Sequence, residues 1–135
     1  MRSVVYFAVL TALSAAPCAA QSYPAKPVRY VVTGSAGSST DAFGRVMAEG
    51  LAQYFGRQFV VENRPGAGSN LGPEFVARAA PDGYTLLLAS ATHGVNPGLR
   101  DKLPYDSIRD FSPVTLVASS PLVFVANPSL GVGSI

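Results

Sequence analysis

The sequence predicts an α/β fold, a parallel-sheet lobe with helices on both faces. Two observations carry that prediction. Three short runs rich in β-branched residues or leucine, 28–33, 58–63 and 84–89, each lead into a loop of small, mostly glycine- and hydroxyl-bearing residues. Segments with helical spacing of apolar residues separate the first run from the second and the second from the third. Strand, helix, strand, helix, strand with short connections requires right-handed crossovers, and therefore parallel strands.

The elements follow in order along the chain. Residues 1–20 read as a signal peptide. Arg2 supplies a positive start, Val4–Leu13 is apolar except for Thr11, and small side chains stand three and one before a cut after Ala20. The apolar stretch Val4–Ala16 is too short to span a bilayer, which takes about 20 residues. Lipidation at Cys18 would place Pro17 at the cleavage site, a poor fit. The mature chain then begins at Gln21, in the periplasm, without a cysteine.

After Pro24 and Pro27, Val28–Thr33 is the first strand. Gly34–Ser39 is a loop, and Thr40-Asp41 precedes an amphipathic helix with Phe43, Met47 and Leu51 at four-residue spacing and Val46 and Tyr54 beside them. Asp41 is expected to cap that helix and Gly56 to end it. Gln58–Asn63 is the second strand, followed by the glycine loop through Asn70. Leu71, Phe75, Val76 and Ala79 mark a second helix, with Pro73 tolerable in its first turn. Pro81-Asp82-Gly83 turns the chain into the third strand, Tyr84–Ala89, and Ser90–Asn96 is a third polar loop. Residues 97–113 read as irregular with one short helical turn, and 114–118 and 122–126 as two further strands. The aromatic residues Phe43, Tyr54, Phe55, Phe59 and Phe75 read as core.

Composition bounds the function. The chain has 135 residues, 48% of them hydrophobic and 13% charged, which suits one folded domain and excludes two. Ten basic side chains are scattered without a cluster, so no nucleic-acid or membrane-surface footprint is present. One cysteine and one histidine exclude a disulfide framework, a zinc ribbon, a Cys/His metal site and an iron–sulfur cluster by count. No cofactor or metal is expected.

In open parallel sheets ligands bind outside the carboxyl ends of the strands. That rule brings Gly34–Asp41, Asn63–Asn70 and Ser90–Asn96 to one edge. They offer approachable backbone N–H groups, hydroxyls from Ser35, Ser38, Ser39, Thr40, Ser69, Ser90 and Thr92, and helix N-termini. Neutral donors at a helix start suit a carboxylate or phosphate. A terminus contributes about 0.3–2 kcal/mol and each hydrogen bond to a charged group roughly 1.5–3 kcal/mol, so one half-open face falls short of micromolar binding, about −8 kcal/mol, without a second lobe to exclude water.

Other readings fit less well. Gly66–Gly72 approximates a dinucleotide fingerprint, but its third glycine is one place late and it follows the second strand. An exported hydrolase could draw on Ser35, His93 and Asp41, yet no G-x-S-x-G elbow occurs. His93 fits a structural hydrogen-bonding residue or pocket wall better than a base.

Tyr23-Pro24-Ala25-Lys26-Pro27-Val28-Arg29, the loop ending Thr40-Asp41, Val60-Val61-Glu62-Asn63-Arg64-Pro65-Gly66-Ala67-Gly68-Ser69-Asn70, Ala80-Pro81-Asp82-Gly83-Tyr84-Thr85-Leu86 and Leu103-Pro104-Tyr105-Asp106 together resemble the Bug family, the extracytoplasmic solute-binding proteins of tripartite tricarboxylate transporters. The resemblance implies a two-lobed, monomeric, periplasmic binding protein-like fold without enzyme activity. It implies capture of a small carboxylate, a di- or tricarboxylate or an acidic amino acid, for a membrane permease. An alternative role is a component that presents ligand to a membrane sensor. By position, Ser35, Ala36, Gly37, Ser38, Ser39, Thr40 and Asp41, with Ser90, Ala91, Thr92, His93 and Asn96, would hold one carboxylate, flanked by Gly68, Ser69 and Asn70. The first loop departs from the family's Pro-Phe pair and consecutive glycines, which puts its shape and ligand in question. Family members also continue well beyond the position of Ile135. Residues 21–135 are therefore expected to be the N-terminal portion of such a protein, an incomplete first lobe with the second lobe absent, of marginal stability and impaired binding.

Overall fold

The computed structural model describes residues 22–121, 123 and 125–131. The expected signal peptide, residues 1–20, and the expected cut after Ala20 lie outside the described residues. Three parallel strands, β1 (Val28–Val32), β2 (Phe59–Asn63) and β3 (Thr85–Leu88), form a sheet in the order β2-β1-β3. The register runs from Val28 opposite Phe59 to Val32 opposite Asn63, and from Arg29 opposite Thr85 to Val32 opposite Leu88. Helix α1 (Ser39–Phe55) connects β1 to β2, and α2 (Leu71–Ala77) connects β2 to β3. The second crossover reverses direction across β1, so with right-handed connections the two helices lie on opposite faces.

Side-chain alternation along β1 confirms the two faces. Val28, Tyr30 and Val32 pack with Ala48, Phe59 and Leu88 beneath α1. On the other face a Cβ placed on Gly72 of α2 would meet Thr33 Cγ2 at 3.2 Å and Val31 Cγ1 at 3.5 Å. The sheet is thus buried on both sides at its central strand, as a near-continuous apolar run demands.

Helix α1 meets the sheet through small residues rather than through its large apolar ones. Gly44 and Ala48 are buried, and a Cβ on Gly44 would stand 2.8 Å from Val32 Cγ2. That close approach leaves Phe43, Tyr54 and Phe55 exposed, Tyr54 at 83%, against the expectation that they are core, and Val46 of the predicted apolar stripe is exposed with them. Met47 and Leu51 lie at the margin of the core and Phe59 within it. The helix begins at Ser39, and its cap is Ser38, not Asp41. Ser38 has extended backbone and its Oγ accepts the Asp41 N–H at 3.2 Å. Gly56, at φ 64°, ends the helix and donates its N–H to Ala52 O.

Two further expectations need correction. The stretch read as a loop and irregular chain contains a third helix, α3 (Thr92–Leu99), with Pro97 inside it. Gly94, Pro97 and Gly98 oppose helix formation, and tertiary hydrogen bonds from Asn96 override that local preference. Residues 114–118 form no strand. Val114 and Leu116 are 85% and 84% exposed, and no described strand lies beside them to take their backbone groups. Of the run 122–126, residues 122 and 124 lie outside the described residues, and Val123 and Val125 are exposed. A single 3-10 turn, Pro128–Leu130, follows.

Candidate ligand-binding site

Hydrogen bonds tie the loops after the three strands into one edge. Asn63, the last residue of β2, donates from Nδ2 to Gly34 O at 3.0 Å and to Asp41 Oδ1 at 2.9 Å, joining the second loop to the first. Asn96 of α3 donates from Nδ2 to Gly68 O at 3.0 Å and to Asn70 Oδ1 at 2.7 Å, joining the third to the second. The three segments singled out from sequence spacing are therefore neighbours, as the switch-point rule requires.

Asp41 organises the first loop. Its side chain is buried, and Oδ2 accepts the Gly37 N–H at 2.8 Å and Arg45 Nε at 3.1 Å, while Oδ1 accepts from Asn63. With Ser38 Oγ accepting the Asp41 N–H, the pair resembles a capping box displaced by one residue. The Gly37 N–H, the Arg45 guanidinium and the Asn63 amide all favour the charged carboxylate, which lowers its pKa to about 2. Gly34 lets the loop close tightly, because a Cβ there would collide with Ser38 Oγ and come within 3.1 Å of Thr40 Cβ.

Asn70 does for the second loop what Asp41 does for the first. It is buried, donates from Nδ2 to Ala67 O at 2.9 Å, and accepts at Oδ1 from both Asn96 and the Tyr105 hydroxyl, the latter at 2.6 Å. Its hold keeps the segment before α2 in a left-handed path: Gly66, Ala67, Gly68 and Ser69 have φ of 118°, 49°, 65° and 65°. Ala67 and Ser69 occupy a region that L-residues with a side chain rarely adopt, and such strain persists where surrounding bonds over-determine it.

The sequence candidates thus divide by what they do. The side chains of Asp41, Asn70, Asn96 and the cap Ser38, and the N–H of Gly37, are spent on holding the loops. Ser39 and Thr40 open α1 and their N–H groups have no acceptor among the described residues, as the first donors of a 17-residue helix. The N–H groups of Ala67, Gly68 and Ser69 likewise have no acceptor among the described residues. Ser35 and Ala36 are exposed on the same ledge. In the third loop the Ser90 and Thr92 hydroxyls share a 2.6 Å hydrogen bond across Ala91, the residue that precedes α3.

His93 is held among aromatic rings, and its Nδ1 is buried without a hydrogen-bond partner among the described residues. Its ring stacks at 5.9 Å on Tyr105 and meets Phe111 edge-on at 4.9 Å, and Nε2 donates to Ser107 O at 3.2 Å. The Ser35–His93–Asp41 arrangement weighed from sequence is not assembled, since Asp41 and His93 are each bonded to other groups. Sequence reasoning gave no individual role to four residues that shape this edge: Arg45, Asn63, Tyr105 and Arg100. Arg45 sits one helical turn after Asp41, a spacing that signals an ion pair on a helix face. The other three carry no local signal, because their partners are 22 to 35 residues away or belong to a glycine's open side.

With this geometry in place, comparison with known proteins decides the family. The model of the tripartite tricarboxylate transporter family receptor matches residues 43–134, more than half of the chain. The chain belongs to that family. Protein BugT of Bordetella pertussis is 41% identical over 135 residues, covering 98% of this chain and 41% of BugT. Among solved structures, the periplasmic binding protein BugD is 42% identical with a TM-score of 0.65 over 67% of this chain and 30% of that one. MatC from Rhodopseudomonas palustris, with bound malate, is 39% identical with a TM-score of 0.64 over 68% of this chain and 32% of MatC. The chain thus spans about two fifths of BugT and about three tenths of the solved structures. The Bug resemblance read from the sequence and the periplasmic-binding-protein type of α/β fold both hold.

Proposed function

We propose that the protein carrying this chain is a periplasmic solute-binding protein, exported by residues 1–20, that captures a small carboxylate and delivers it to the membrane permease of a tripartite tricarboxylate transporter. The ligand class is a di- or tricarboxylate or an acidic amino acid, and residues 21–135 contribute to the lobe that holds one carboxylate. The observation that carries this reading is the junction of three loops at the carboxyl edge of the sheet, with unspent N–H groups at the start of α1 and along residues 67–69. Those donors and the helix dipole favour a negative charge. The family membership and the malate bound by MatC support the same chemistry. No step of bond making is assigned to the site; it binds and releases.

Proline substitution tests the helix start directly. Ser39 is the first residue of α1 and follows an extended Ser38, a position where proline fits without disturbing the helix. Ser39→Pro deletes one N–H donor, and its expected effect is a ten- to hundredfold weaker Kd for malate, since a hydrogen bond to a charged group nets roughly 1.5–3 kcal/mol. Ser39→Ala, which keeps the N–H, separates the backbone donor from the hydroxyl. Unchanged malate affinity in Ser39→Pro, measured by calorimetry, would remove the helix start from the site.

A further inference from the structure

Arg29, Arg45, Arg64, Arg78 and Arg109 each face a carboxylate of the chain, Arg57 bonds Gly56 O, and Arg100 has no carboxylate partner among the described residues. Its exposed side chain instead lies over the second loop. A Cβ placed on Gly68 would stand 2.7 Å from one terminal nitrogen of Arg100, 3.7 Å from Cζ and 4.0 Å from Nε, so the guanidinium lies against the space that a side chain at 68 would fill. Gly68 has φ 65°, and its carbonyl is held by Asn96. The root of Arg100 is fixed by the same residue, because its N–H bonds Asn96 O at 3.1 Å. An unpaired cation is therefore positioned at the ligand edge, against a stretch whose N–H groups at 67–69 are also unspent.

We propose that Arg100 is a specificity-determining ligand contact that pairs with a second carboxylate, so that the site selects dicarboxylates over monocarboxylates. This inference rests on the carboxylate-binding reading above and adds to it the group that counts charges. The N–H donors of a helix start attract one anionic group and are blind to the rest of the ligand. A guanidinium adds a full charge and a planar pair of donors matched to a carboxylate. A neutral ligand end facing it leaves that charge to water.

The test measures binding of three probes to the protein carrying this chain and to its Arg100→Gln and Arg100→Lys variants. The probes are malate and two analogues in which a methyl replaces one carboxylate, 2-hydroxybutyrate and 3-hydroxybutyrate. Expected are at least fivefold weaker malate binding in Arg100→Gln, partial recovery in Arg100→Lys, and no effect of either substitution on the hydroxybutyrate that lacks the carboxylate read by Arg100. Should neither hydroxybutyrate bind measurably, the salt dependence of malate affinity decides, being shallower in Arg100→Gln if the residue supplies a charge to the ligand. Equal malate affinity in Arg100→Gln would overturn the inference and leave the carboxylate reading standing. Equal losses for all three probes, or an unchanged salt dependence, would make Arg100 a loop-shaping residue and also overturn it. Failure of the unsubstituted protein to bind any of the three would sink the underlying reading instead.

Discussion

Asn70→Ala is expected to lower stability by about 2–4 kcal/mol, because it strips a partner from two buried residues, Asn96 and Tyr105, at once. Asn70 is nearly inaccessible to solvent, and its amide bonds Ala67 O, Asn96 Nδ2 and the Tyr105 hydroxyl. Alanine leaves the buried Tyr105 hydroxyl without its acceptor, and a buried polar group left unpaired costs roughly 1–3 kcal/mol; the carbonyl of exposed Ala67 is released to water. Asn96 keeps its bond to Gly68 O, which limits the loss. The left-handed run 66–69 would loosen at Ala67, whose carbonyl Asn70 Nδ2 holds, while Asn96 still ties Gly68 to α3. Tyr105→Phe removes one of the two donors to Asn70 Oδ1 and is expected to cost less than Asn70→Ala. Denaturant unfolding of the three proteins checks the order. Asn70→Ala within about 0.5 kcal/mol of the parent, the range of ordinary surface changes, would contradict the role given to this network.

Asp41→Asn is expected to act on both stability and its pH dependence. An amide cannot accept at both positions from Gly37, Arg45 and Asn63, so a fall in Tm on the order of 10 °C at neutral pH is expected. The pKa of Asp41 is lowered from 3.8 to about 2 in the folded chain. A lowered folded pKa means that the carboxylate's contribution is fully present above the unfolded value, near 4, and is lost as pH falls through about 2. The parent protein should therefore lose Tm between pH 4 and 2 more steeply than Asp41→Asn, and the two curves should converge in acid. Parallel curves across that window would show that Asp41 is not the titrating group.

The sheet was legible because its signals are local. Three short β-rich runs, the glycine loops after them and the Pro81-Asp82-Gly83 turn fall at or within a residue of the observed boundaries. The edge carrying the site was legible from topology alone, since the ends of parallel strands must lie together. What escaped is what distant contacts decide. Helix α3 forms through Asn96 despite Pro97 and two glycines, and α1 buries Gly44 and Ala48 where the spacing of Phe43, Met47 and Leu51 pointed to a neighbouring face. The same holds for the candidate site. Asp41, Asn70 and Asn96 read as ligand groups because they are polar loop residues, yet their side chains are consumed by partners on other loops. The backbone N–H donors at 39–40 and 67–69, without acceptors among the described residues, are groups that no sequence pattern distinguishes one by one.

The measurement that bears most directly on carboxylate capture is a calorimetric titration of the protein carrying this chain with malate and, in parallel, with its dimethyl ester. The ester keeps the carbon skeleton and the hydroxyl but carries no charge for the helix start or the loop N–H groups to attract. Saturable binding of malate at one site, with no heat from the ester, is the expected result. Equal binding of the two, or none of malate and of other di- and tricarboxylates, would contradict an anion site at the carboxyl edge of the sheet.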